Sequence, residues 1–151
     1  MASSTPSSAD RPIQLLWDDG QVGITPEDEN RFVMALPTKV DSAQQQVALD
    51  RLRTQLRSDF FPIVHRWCHN HAERVLACYM TAPADHYTIY VVTRSNRFDL
   101  TLSDAVAELD SQLFGANWPV EVLQIPASND QQLRAFFDPA SSLEIYHAQR
   151  G

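Results

Sequence analysis

The stretch "HRWCHNHAERVLACY", residues 65–79, gathers three of the chain's five histidines and both of its cysteines. His65, Cys68 and His69 follow the i, i+3, i+4 spacing that puts side chains on one face of a helix. Two imidazoles and a thiol so placed have the chemistry of zinc ligands, with His71, Cys78 or His86 as a fourth. The spacing departs from known zinc signatures, however. No C-x2-C pair occurs, and Arg66 stands where the zincin helix, H-E-x-x-H, carries its glutamate. The same histidines also suit a helix C-terminus, whose dipole favours basic groups. Cys68 and Cys78 read as buried free thiols, which behave as small hydrophobes.

A second set lies in "TRSNRFDLT", residues 93–101, between an expected strand and an expected helix. Arg94, Ser95, Arg97 and Thr101, with the free N–H groups of a helix's first turn, offer donors to a phosphate or carboxylate. In open α/β sheets the carboxyl ends of strands are where ligands bind. No glycine-rich loop is present, so there is neither a P-loop nor a dinucleotide fingerprint, and the arginines also have Asp99 and Asp104 to answer. Glu121, inside the apolar run "PVEVLQIP", is a lone carboxylate. It either faces solvent on a half-covered sheet or is a functional acid with a pKa raised by burial.

The elements that position these residues follow from periodicity. "IQLLW" (13–17) reads as a strand closed by the turn "DDG", and residues 25–36 read either as a helix start, with Thr25 as cap, or as a strand. Leu49, Leu52, Leu56, Phe60, Ile63 and Trp67 recur at three- and four-residue steps, the apolar stripe of an amphipathic helix from Ser42. Pro62 within it predicts a kink or a restart near 58–62. Phe61, Val64 and Cys68 lie on the helix side opposite the stripe and make a second apolar face, to be covered by the segment around Trp17 or by another subunit. "RVLACYMT" and "HYTIYVVT" read as a hairpin of central strands, joined by "APAD". A helix opening at Thr101 follows, with Leu102, Ala105, Val106, Leu109 and Leu113 inward, and then a strand over 119–125 parallel to 87–93. "SNDQQLRAFFDP" gives a short helix, and "ASSLEIYHAQ" a helical turn or an edge strand. The expected fold is α/β (α+β): a mixed sheet of about three to five strands, with a long kinked helix and a β-α-β crossover packed on it. Residues 1–12 read as a disordered polar leader and 13–151 as one domain.

The order helix, strand, strand, helix, strand from 44 to 125 resembles the core of minimal nucleotidyltransferases. In that family the last of these strands carries a catalytic carboxylate, where "PVEVL" has Glu121. The family's Gly-Ser turn is replaced by "MTAPAD", and its D-x-D pair falls on Thr88 and Tyr90, which hold no magnesium. The resemblance therefore implies a degenerate relative rather than an active transferase.

Composition bounds the function. The 151 residues are 44% hydrophobic and 21% charged, as in globular proteins, and the net charge of -7 opposes nucleic acid and anionic lipid as partners. Residues 51–97 carry a balance of +4 and the remainder -11, a basic middle between acidic ends. No run reaches the roughly 20 apolar residues of a membrane helix, and the N-terminus lacks the basic and apolar regions of a secretory signal. The expectation is a small, cytoplasmic, non-catalytic protein that binds a protein partner or itself, with no cofactor. The alternatives are an anion- or nucleotide-binding domain and a zinc protein.

Overall fold

β-Branched and aromatic runs become strands where the sequence concentrates them, because a pleated, half-buried surface packs such side chains well. The structure is a computed structural model that describes residues 12–18, 21–25, 28, 51–52, 54–81, 87–116 and 118–148. Its strands are β1 (Ile13–Asp18), β2 (Gln21–Ile24), β3 (Val75–Thr81), β4 (Tyr87–Thr93), β5 (Val120–Ile125) and β6 (Leu143–His147). Its helices are α1 (Phe61–Asn70), α2 (Leu100–Gly115) and the short α3 (Asp130–Leu133).

All six strands join one mixed sheet in the order β2-β1-β6-β3-β4-β5, which settles the class as α/β and exceeds the three to five strands expected. Two segments account for the difference. β2 is only four residues long and contains Gly23, so its sequence carries little strand signal. β6 is no edge strand; it runs between β1, parallel, and β3, antiparallel, with Leu143, Ile145 and Tyr146 buried. The pairing of β4 with β5 is parallel, from Tyr87↔Val120 to Val92↔Ile125, as a crossover through α2 requires.

Pro62 has no N–H to donate, so the α-helical ladder cannot pass through it. The chain resolves this with one π-turn over Leu56–Phe60, in which the Phe61 N–H donates to the Leu56 carbonyl, and α1 then begins with Pro62 in its first turn. Leu56, Phe60 and Trp67 stay buried on both sides of the break, so the core stripe keeps its phase. Phe60 is its anchor, edge-on to Trp118 at 5.0 Å and 5.9 Å from both Tyr87 and Phe61.

α1 and α2 cover the same face of the sheet and share one core with Ile13, Cys78, Met80, Ile89 and Val91. The other face is covered by Leu133 and Phe137 over Tyr79, Val92 and Ile125, with Phe137 stacked on Tyr90 at 4.7 Å. α2 begins slightly earlier than expected, at Leu100. Asp99, not Thr101, is its cap, accepting from the Leu102 N–H at 3.0 Å. Thr25 Oγ1 accepts from the Asp28 N–H at 3.3 Å, the local bond expected of "TPED". The rest of 25–36, the leader through residue 11, the helix start from 42 to 50 and the turn "APAD" lie outside the described residues.

Phe60→Ala is expected to lower the unfolding free energy in urea by about 3–5 kcal/mol. Phe114→Ala, on the outside of α2 and 77% exposed, is expected to stay within about 0.5 kcal/mol of the parent chain.

Candidate functional site

The histidine–cysteine trio is pulled apart by packing. Cys68 is fully buried, and burial together with the adjoining Cys78 thiol pushes its pKa well above the usual thiol range, away from a metal-binding thiolate. His65 stacks on Trp17 with ring centroids 3.9 Å apart and meets Tyr146 edge-on at 5.7 Å. His69 is exposed. Among the described residues, no group of three His, Cys, Asp or Glu side chains is placed to hold a metal ion.

The second apolar face of α1 is closed by the chain itself. Phe61, Val64 and Cys68 are each 0% exposed. β2, β3 and β6 pack against α1, with Cys68 beside Cys78, and the Trp17 indole N–H, beside the His65 ring, donates to the Ile145 carbonyl at 2.9 Å. A partner has no access to these three side chains while the β1–β2 hairpin stays docked, which corrects their expected role as an interaction face.

The loop after β4 does bring Arg94, Ser95, Arg97 and Thr101 to one end of the sheet, all exposed. Two of its donors, however, are engaged within the chain. Arg94 Nε donates to the Ala72 carbonyl at 2.8 Å, and the Arg97 N–H donates to Ser95 Oγ at 3.1 Å. The start of α2 already carries an anion, the Asp99 carboxylate. The Leu102 N–H and the Arg74 guanidinium, 3.1 Å away, hold its pKa below the usual carboxylate range. Gln124 fixes this corner from β5, accepting from the Asp99 N–H and donating to its carbonyl. A phosphate aimed at this helix start would meet a carboxylate first. Glu121 is elsewhere: it is exposed, paired in register with Thr88, and four positions before Ile125, about 13 Å along the strand.

A different surface collects what the sequence reading passed over. Phe98, Leu100, Phe114 and Leu123 are 60%, 77%, 77% and 38% exposed. Leu100, Ala107 and Phe114 follow at seven-residue steps along α2. They therefore lie along one side of the helix with only about 20° of drift per step, rather more than a third of a turn from the core stripe. That side overlooks a groove of about 400 Å3, bounded by Phe98, Val106, Ala107, Asp110, Leu123 and Gln124. Its floor and far wall are β5, the last strand of the sheet, and among the described residues no strand pairs with the outer side of β5. The seven-residue repeat was the available signal, masked by the stronger Leu102–Leu113 stripe.

No protein-family model matches the chain, and no curated protein or solved structure matches it. No helix among the described residues is long and apolar enough to cross a membrane.

Burial lowers the pKa of His65 from its ordinary value of 6.5, and the nearby His69 adds to the effect. A base with a depressed folded pKa is protonated more readily in the unfolded chain. Its contribution is therefore complete above pH 6.5 and declines as pH falls below that value. His65→Phe is expected to flatten the drop in thermal midpoint between pH 7.5 and pH 5.5; an unchanged slope would show that the Trp17 stack is not the acid-sensitive contact.

Proposed function

We propose that the chain is a non-catalytic, cytoplasmic binding protein, and that its working surface is the groove between α2 and the outer edge of β5. The observation that carries this reading is the groove lined by Phe98, Val106, Ala107 and Leu123, with Phe98 and Leu123 exposed, beside a strand edge that no described strand pairs with. Single exposed hydrophobics are ordinary, but a row of them flanking a groove costs solvation unless something covers it. An open strand edge adds a line of backbone donors and acceptors that favours protein over small-molecule partners. Tethering by Arg94, Ser95 and the Asp99 cap supports a structural rather than a ligand-holding role for residues 93–101.

Photo-crosslinking in the native cell tests the reading. A benzophenone amino acid placed at the exposed Ala107 position is expected to capture another protein chain, and one at the exposed Glu73, away from the groove, is not. Equal capture from both sites, or none from 107, would remove the basis for the reading.

A further inference from the structure

Apolar and acidic residues alternate around the outer side of α2, and their order narrows what can cover it. Leu100, Ala107 and Phe114 form an apolar seam along the helix. Each residue of an α-helix turns by about 100°, so Asp110 stands roughly 60° from Ala107 on the flank that lines the groove. Asp104 stands roughly 60° from Ala107 on the other flank, turned to solvent. Ser103 and Ser111 complete the two flanks. α2 carries Glu108 as well, but neither a lysine nor an arginine. Among the described residues neither Asp104 nor Asp110 makes an ion pair. The seam is bracketed by a carboxylate on each side.

Resting on the reading just given, the geometry points to one occupant: an amphipathic helix of a partner protein with lysine or arginine on both flanks of its apolar seam. Such a helix lies along α2 and over the groove, against the edge of β5. Its seam meets Leu100, Ala107 and Phe114, and the small Ala107 at the middle lets the two helices approach closely. Phe98, Val106 and Leu123 are the groove residues it covers. Its basic flanks reach Asp104 on one side and Asp110 on the other, as flank charges select partners in paired helices. Asp110 is half-buried, and a partly desolvated carboxylate is screened less by salt. A strand added to β5 fits less well, because half its side chains point to the face away from α2. A second copy of this chain also fits less well. Two α2 helices antiparallel about Ala107 offer Ser103 to Asp110 and Ser111 to Asp104. That pairing gathers Asp104, Glu108 and Asp110 of both copies without a cation.

The test uses the full chain and two fluorescent peptides stapled as helices, each long enough to span Leu100 to Phe114, about 21 Å. Both carry a leucine seam; one has lysine on its flanks and the other glutamate. Fluorescence anisotropy is expected to show the lysine peptide binding at least about tenfold more tightly than the glutamate peptide. Leu100→Ser with Phe114→Ser, at exposed positions, leaves the charge unchanged and is expected to weaken the lysine peptide about tenfold. Asp104→Asn with Asp110→Asn is expected to bring the two peptides within about threefold of each other. Glu73→Gln with Glu121→Gln removes the same charge away from the seam and is expected to leave the preference intact. Equal binding of the two peptides overturns the proposal. So does a loss of preference that the Glu73 and Glu121 substitutions reproduce, since net charge alone is then the attraction. Binding unaffected by the paired serine substitutions overturns it too. A dimer in sedimentation that those serines convert to a monomer makes the second copy the occupant and overturns it. A crosslink from position 107 into residues 29–50 of the same chain does the same. If position 107 captures a partner while the lysine peptide fails to bind, the partner chemistry is wrong and the binding role stands. If it captures nothing, both fall together.

Discussion

The parallel pairing of β4 with β5 is the constraint on which the rest of the surface depends. Parallel neighbours cannot be joined by a tight turn, so the chain must leave the sheet, cross one face and return. That crossing is α2, and its position follows: Leu102, Val106, Leu109 and Leu113 seal the face that α1 has begun to cover. β5 becomes the last strand as a consequence, and the corner at Asp99 becomes a fixed hinge point. There one carboxylate caps the helix, binds Arg74 and lies beside the Gln124 clamp from β5. With helix and edge strand locked at this angle, the groove between them is a built feature of the fold.

The two halves of the helical layer solve the same problem differently. Around α1 the helix has apolar residues on two sides, and both are buried within the chain, Phe61, Val64 and Cys68 included. On the α2 side the surplus is left in the open. Leu100 and Phe114 contribute nothing to the core and stay exposed.

Much of this was legible in the residues. The core stripes of both long helices, the two central strands, the crossover and the break at Pro62 follow from period, β-branching and the missing proline N–H. The place of β6 did not, because "LEIYH" has the same local pattern in a central or an edge position, and only long-range pairing decides between them. The same limit misled the reading of α1. A helix with two apolar sides looks unfinished in sequence, and nothing local announces that Trp17, 48 positions before His65, will stack on its ring. The loop 93–101 lies between strand and helix as the sequence implies, and Asp99 both answers an arginine, Arg74, and caps α2, a second role that no local pattern announces. Thr88 and Tyr90, at the D-x-D positions of the resemblance, are respectively buried and stacked on Phe137.

The central claim is that the side of α2 facing the β5 edge is open in the isolated chain. Methyl NMR with a soluble gadolinium chelate measures this directly on the isolated chain. The account predicts strong paramagnetic broadening for Leu100, Ala107 and Leu123, and little for Leu102, Leu109 and Leu113. Protection of the first three to the level of the second would contradict it, because the surface would then already be covered by the chain itself.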